Sequence, residues 1–570
     1  MGLVYKQLLK SIIKDRVFLF LLFLLTTLTA LSFFFVTASV DGNVRVLNTL
    51  EHLSVHQQKY QNALHSNRVL AYAFWLSLVS LTTVALIMFF YRFFRANAKQ
   101  IGCLKTLGFR NRCLQLFFVV FTAALSVLGA IFGLFGGYGL SDILINANTK
   151  TYDVTGLIKG ISGFSLIIGF VGSTAIFCVT ALLCYGFVRN REDSFLLSGN
   201  NLQNRFPIAL QIADKLSRFA PAQKRLPLRI ALRKPLSVLL LLVSVLSFQV
   251  CIILGQSLHL SSAKVFHMQT TGHNYAYQIQ YEEYRTSDTL HNAMTYIDEP
   301  SLIMINDYEL ERIVTGLYDI NELYELKNKN NALLTVPNAG CVYINPELSE
   351  IYGVKVGDLF VISIADLQVR LKVKDIAVNA QTNHIYMNGN QLAELLHITA
   401  GAYNGAFSAK QLEGGMVISK EQRIEEMNRN FVSNKTSAVI NQATGVLVGI
   451  ILIFLALHIS LQDNVHDILI LRMLGHSISD IRKLLIDIYL PVLWVLFVIS
   501  LVPGILLAKT IQNTLSIFTK DYMPFGINFG VIIIAFGLMN LIYYGIEIIL
   551  MLRVKHIIEK EDVTEIIYSE

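Results

Sequence analysis

The chain has 570 residues, is 54% hydrophobic, carries 15% charged residues and has a mean hydropathy of +0.52, a balance that excludes an ordinary water-soluble globular protein. Its formal charge of +7 gathers in the loops between apolar runs, so it reads as a signal of membrane orientation and argues against nucleic acid as a partner. The six cysteines do not make a disulfide framework: Cys103, Cys113, Cys178, Cys184 and Cys251 fall in apolar runs or their basic flanks, and Cys341 stands alone in a polar segment.

A bilayer core takes about 20 apolar residues per spanning helix. The first qualifying run, 17–36, follows Lys6, Lys10, Lys14 and Arg16 and is too long for the core of a typical secretory signal, so an uncleaved helix is expected. Residues 37–68 read as a small polar helical hairpin with Val44, Leu47 and Leu50 on one face, too short for a core of its own. The second run, 69–91, leads into Arg92, Arg95, Lys99, Lys105, Arg110 and Arg112 with no acid among them, which marks that loop as cytoplasmic. Runs 114–140 and 161–188 follow. A connecting segment, 189–235, carries ten Lys and Arg against three acids, and Ile208, Ile212, Leu216 and Phe219 with Lys215 and Arg218 suggest a helix on the membrane surface. Run 236–258 is the fifth.

The polar stretch 259–441 is long enough for a domain. Alternation over 274–281 and 358–375 predicts strands, 347–352 a short helix, and Gly353 and Gly357 the turn between them. Ile424, Met427 and Phe431 recur at helical spacing towards the membrane. Runs 443–461, 488–507 and 529–551 complete eight. An even number puts both termini on one side, the cytoplasmic one. The fold class expected is a membrane all-α bundle of eight transmembrane helices, built as two parallel four-helix repeats, with an α/β extracytoplasmic domain. Its divisions are 1–200 for the first repeat, 201–258 for the linker and fifth helix, 259–441 for the outer domain on helical stalks, and 442–570 for the last three helices and tail.

The duplication appears when the chain is shifted by 367 residues. Ile101, Leu104, Lys105, Leu107 and Gly108 then fall on Ile468, Leu471, Arg472, Leu474 and Gly475, and Gly137 falls on Gly504. A shift of 219 lays 9–22 on 228–241. Four helices per copy make the copies parallel, unlike the inverted repeats of many ion-coupled transporters. Gly129, Gly133 and Gly137 recur every fourth residue, a spacing that permits close helix approach, although ordinary glycine content of membrane helices would also supply it.

Several chemistries lack their residues. There is no glycine-rich loop ending in Gly-Lys-Ser/Thr, no His-Glu-x-x-His and no Gly-x-Ser-x-Gly, so nucleotide binding and hydrolysis are not expected on this chain. Asp487, Asn540, Glu547 and His458 lie near helix ends or stand alone, where a polar contact between helices is the default reading.

The segments Gln100-Ile-Gly-Cys-Leu-Lys-Thr-Leu-Gly-Phe109 and Asp467-Ile-Leu-Ile-Leu-Arg-Met-Leu-Gly-His476, each followed by a glycine-bearing helix, together with the outer stretch 341–362, resemble the FtsX-like permeases of ABC transporters (MacB, LolC and BceB types, type VII). The resemblance covers most of the chain. It implies that Ile101, Leu104, Lys105, Leu107, Gly108, Ile468, Leu471, Arg472, Leu474 and Gly475 form coupling helices for two copies of a cytoplasmic ABC ATPase, which would hold the ATP and Mg. No cofactor is implied on this chain. Interfacial helices lying on lipid are the alternative for these segments. Gln100 stands where relatives often have an acid, while Asp467 keeps it, so the two halves are open to unequal coupling. The implied function is export, extraction or expulsion of an amphipathic peptide, lipid-linked molecule or lipoprotein across a bacterial plasma membrane, with an accessory protein as a further partner. The alternative is a peptide-antibiotic sensing and resistance permease that signals to a histidine kinase.

Overall fold

A computed structural model describes residues 2–50, 52–152, 154–189, 235–286, 293–305, 308–365, 367–462, 464–519 and 521–560. The surface helix expected around Ile208 to Phe219 lies outside them. Among the described residues, eight helices are long and apolar enough to cross a membrane: Arg16–Leu47, Ala63–Ala96, Asn111–Tyr152, Gly163–Gly186, Ser237–Thr270, Ala438–Gln462, Ile478–Phe518 and Phe529–Lys555. They are called the first to eighth spanning helices. Each overlaps one of the apolar runs read from the sequence. The chain divides into two compact units, one of Met1–Gly255, Val439–Lys509 and Asn528–Glu570, the other of Gln256–Ala438 and Thr510–Ile527.

In the first unit the helices outrun the bilayer. The first has 32 residues, which at 1.5 Å per residue is about 48 Å, against a hydrocarbon core of about 30 Å. The expected hairpin 37–68 is therefore the joined ends of two long helices. Ser54 caps the second with a reciprocal bond to Gln57. Two expectations change here. Leu50 is exposed, while Val40, Val44, Leu47, Tyr60 and Leu64 do form a small core, because Val154 from the far side of the third helix completes it. Below it, the buried Asp41 carboxylate accepts from Arg68 Nη2 at 3.1 Å, Ser162 N–H at 3.0 Å and Ser165 Oγ at 2.6 Å. Gly160 N–H donates to Ala38 O at 3.0 Å. These bonds fasten the loop between the third and fourth helices to the first.

Among the described residues the second unit holds nine strands: β1 (Tyr277–Arg285), β2 (Ala293–Ile305), β3 (Tyr308–Leu317), β4 (Cys341–Ile344), β5 (Leu359–Ile364), β6 (Leu367–Ile376), β7 (His384–Asn388), β8 (Tyr403–Ser408) and β9 (Met416–Ser419). Their order is β3-β7-β4-β6-β5-β2-β8-β1-β9, and β2 also pairs with β3, from Tyr296 opposite Leu317 to Ile305 opposite Tyr308. That last pairing closes six strands into a barrel, which removes their free edges. Alternation sets the inside: Phe360, Ile362 and Ile364 on β5 and Leu371 and Val373 on β6 face the core, while Lys372 and Lys374 face out. The short helix Pro346–Glu350 is capped by Asn345 Oδ1, and Gly353 and Gly357 turn the chain into β5 with φ of +76° and +98°. Its Glu347 meets Arg312 of β3 at 2.8 Å, both side chains buried. The segment Thr510–Ile527 belongs to this unit, whereas the sequence division grouped it with the last helices. Tyr522 Oη donates to Glu350 at 2.9 Å, Gly526 N–H to Ser257 Oγ at 3.0 Å, and Ile517 packs on the barrel core.

Beside the barrel, Tyr275, Tyr296, Tyr324, Tyr386 and Phe407 stack around two buried histidines. Thr315 Oγ1 donates to Asp298 at 2.6 Å and accepts from His384 Nδ1 at 2.9 Å. Burial pushes the Asp298 carboxyl up to about 7 and His384 down to about 4. Between pH 6.5 and 4 the unfolded chain protonates His384 and the folded chain does not, so this group's contribution is present above pH 6.5 and lost as the pH falls. Asp298 acts in the opposite direction. Replacing His384 by Gln removes that loss and leaves Asp298 unopposed, so on going from pH 7.5 to 5 the variant should gain about 2 kcal/mol of stability relative to the parent, at 1.36 kcal/mol per pH unit. Thermal denaturation of the detergent-solubilised protein at the two pH values measures the difference.

Candidate functional site

Two short helices, Ala98–Thr106 and Val465–Met473, form elbows where the second and sixth spanning helices end. Asn97 stops the second helix with φ −110° and ψ 21°. Its N–H and Nδ2 both donate to Phe93 O, at 3.0 and 2.9 Å, and its own carbonyl accepts from Ile101 N–H at 3.0 Å. One residue thus closes one helix and opens the next. Asn464 occupies the same place in the second half, with φ −110° and ψ 11°, and accepts from Ile468 N–H at 2.9 Å. Asn97 and Asn464 lie 367 residues apart, so the repeat shift could have found them, although motif reading passed them over.

Each elbow ends in the same way. Gly108 N–H donates to Lys105 O at 3.0 Å and Phe109 N–H to Leu104 O at 3.1 Å; Gly475 donates to Arg472 O at 3.0 Å and His476 to Leu471 O at 3.1 Å. This pair of bonds needs a left-handed residue after the helix, and both glycines have φ of +87°. The helix ends are thereby fixed in direction.

The structure divides the expected apolar ridge. Ile101 and Ile468 are 1% and 0% exposed and belong to the bundle core, with Leu104 and Leu471 packed against it. Leu107 and Leu474 point away and are 73% and 71% exposed. The correction has a geometric cause: three residues at spacing of three cover more than one side of a helix whose inner face is already in use. The second tip also exposes Ile470 and Met473, which the sequence reading did not single out. Around the tips Arg95, Lys99, Arg110, Arg112 and Arg472 are exposed, while Lys105 is half-buried. Of Asp467, the described feature is its place in the elbow helix.

The glycines of the third helix meet the first helix. A Cβ on Gly129 would lie 2.8 Å from Thr26 Cβ, on Gly133 2.7 Å from Leu31 N, and on Gly137 2.7 Å from Phe35 N, so the two backbones touch. The second half differs. A Cβ on Gly504 would approach the Gln249 side chain at 3.3 Å. At the repeat shifts Gly133 and Ala30 are replaced by Ser500 and Gln249, and Ser500 Oγ donates to Gln249 Oε1 at 2.8 Å while Gln249 Nε2 donates to Phe497 O at 2.9 Å. A buried amide stands where the first half has backbone contact.

Both elbows lie at one end of the first unit, since Arg92 and Gln462, which precede them, bond the same carboxylate of Asp15. The family model of the FtsX-like permease C-terminal domain matches residues 72–192 and 443–557. The chain thus carries two regions similar to FtsX-like permeases. Each matched region contains one elbow and the helices on either side of it. A search of curated proteins gives no match. The two matches, with eight helices long and apolar enough to cross a membrane among the described residues, support a multi-pass membrane protein of the permease type found in ABC transporters.

Two outcomes test this geometry. Gly133→Leu should lower the melting temperature through overpacking of about 1–3 kcal/mol, while Gly504→Ala should be near neutral, because a side-chain end can yield where backbone cannot. Gly108→Ala has room for its methyl but costs about 1 kcal/mol in a left-handed conformation. Hydrogen exchange at the Phe109 amide should then rise about fivefold, the factor that 1 kcal/mol of local opening gives.

Proposed function

We propose that two copies of a cytoplasmic ABC ATPase dock on the two elbows, one around Leu107 and one around Leu474. The carrying observation is the pair of leucines, each more than 70% exposed on a rigidly capped tip at the same end of the bundle. A large exposed leucine costs hydration free energy unless a partner covers it. The exposed cations nearby favour an acid-rimmed groove and, by the rule that Lys and Arg gather inside, a cytoplasmic position. ATP and Mg would sit on the partner.

On this reading both termini are cytoplasmic. The N-terminal helix Gly2–Lys14 reaches the first elbow through Ser11 Oγ to Gln100 at 3.2 Å, and the eighth helix brings Arg553 to His458 beside the second. The halves are then parallel repeats. ATPase closure would press on each tip, and Asn97 and Asn464 would pass the push to the second and sixth helices. The cargo class that the family resemblance favours is amphipathic: a peptide, a lipid-linked molecule or a lipoprotein, moved by export, extraction or expulsion. The sheet unit would meet it, or an accessory protein, outside. The different apolar sets on the two tips support unequal coupling.

Leu107→Asp and Leu474→Asp together should weaken capture of the cognate cytoplasmic ABC ATPase at least 30-fold, as loss of a hot spot worth about 2 kcal/mol implies. Met304→Asp, on the exposed outside of the barrel, is the control and should leave capture unchanged. Full retention of the ATPase by the double variant would reject the docking role and favour tips resting on lipid.

A further inference from the structure

Asp15 sits in the single-residue break between Gly2–Lys14 and Arg16–Leu47. An aspartate at the start of a helix ordinarily caps it by accepting from a backbone N–H in the first turn. Here it does not; its φ and ψ are −97° and 63° and its side chain makes no capping bond. The carboxylate reaches instead to two other spanning helices. Oδ2 accepts from Arg92 Nη1 at 3.3 Å, and Oδ1 accepts from Gln462 Nε2 at 2.9 Å and meets His458 Nε2 at 3.2 Å. Arg553 Nη1 lies 2.9 Å from His458 Nδ1. The same Nη1 lies 3.2 Å from Nε2; with the nearer Nδ1 as its acceptor, Nε2–H is the donor to Asp15.

The positions of these donors give the arrangement its meaning. Arg92 lies one turn before the end of the second helix at Ala96, and Gln462 is the last residue of the sixth. Both helices pass directly into the elbows through Asn97 and Asn464. The carboxylate is half-shielded, with 23% of its side chain exposed, and His458 is fully buried, so water competes weakly for these bonds. Burial pushes the Asp15 carboxyl up, but the His458 hydrogen bond and the Arg92 charge outweigh it and hold the group below the ordinary carboxylate range. It is therefore ionised at neutral pH. The neighbouring helix Gly2–Lys14 adds apolar contacts to the same place: Leu8 and Ile12 are buried in one core with Ile101 and Ile468.

The cluster is not a product of the duplication. The repeat shift places Tyr91, Arg95 and Gly186 opposite His458, Gln462 and Arg553, and those residues cannot make the same set of bonds. Asp15 also lies outside both regions that the family model matches. We propose that Asp15 is a positioning residue that ties the two elbows together, holding the two ATPase seats in one mutual register through Arg92 on one side and Gln462 with His458 on the other. The proposal rests on the elbows being those seats, but its structural core, a tie between the elbows, can be measured without the ATPase.

The experiment uses the full chain in lipid nanodiscs, with spin labels on the exposed Cys103 and on Ile470→Cys, its equivalent in the second elbow, and with the other five cysteines replaced. The parent should give a narrow distance distribution between the labels. Asp15→Ala should broaden it and mobilise both labels, and Asp15→Asn should do so to a lesser extent, because one carbonyl acceptor remains. Arg92→Ala should mobilise the label at Cys103 more than that at position 470, and Gln462→Ala should do the reverse, a split that general destabilisation would not produce. Should Asp15→Ala not fold, the Asn variant and the two single-donor variants carry the test. An unchanged distribution in a folded Asp15 variant, or equal mobilisation of both labels by Arg92→Ala and Gln462→Ala, would overturn the tie. Loss of the tie with intact ATPase capture by Leu107 and Leu474 variants would instead count against the docking reading alone.

Discussion

The burial of Ile101 and Ile468 is the constraint on which the rest of the functional end depends. Each is the apolar anchor of a nine-residue helix, too short to be stable by itself in water. Anchored in the bundle core, the helix presents its opposite end outward, and the left-handed glycine after it fixes where that end points. Leu107 and Leu474 are exposed because Ile101 and Ile468 are not. A partner that pushes on such a tip meets an element joined to a long helix through one asparagine, with little slack to absorb the displacement.

The two halves of the bundle solve the same packing problem with different chemistry. Where the third helix meets the first, Gly129, Gly133 and Gly137 allow backbone to touch backbone, and dispersion over that contact favours a single fixed arrangement. The corresponding contact in the second half is held by Gln249 and Ser500. A hydrogen-bonded side chain has rotamers through which it can re-form its bonds, whereas a backbone contact has none. That difference suits a bundle with one stiff half and one more adaptable half. The sheet unit is held by another means, a closed barrel whose Arg312–Glu347 pair is shielded from water; breaking one partner there would leave a buried charge uncompensated.

Much of the site was legible in the sequence, but not its orientation. The shift of 367 residues brings both elbow segments and their glycines into register, and both glycines take the same left-handed conformation. It also contained Asn97 and Asn464, whose role needed the dihedral angles to be seen. Helical spacing grouped Ile101, Leu104 and Leu107 correctly as apolar residues of one short helix. It could not say that the first two face inward, since which side of a helix is covered is decided by neighbours that the spacing does not contain.

By itself the sequence determined the eight apolar helices and the polar segment with its strands at 358–375 and its turn glycines, since each is written in local composition or in short patterns. The tertiary structure decided that β2 closes on β3 as a barrel, that Thr510–Ile527 joins the sheet unit, and that Asp15 meets Gln462 across more than four hundred residues of chain. Those outcomes depend on which surfaces come together after the helices and strands exist. Hydropathy and periodicity record how each segment is solvated, and they carry no record of which distant segment will replace the solvent.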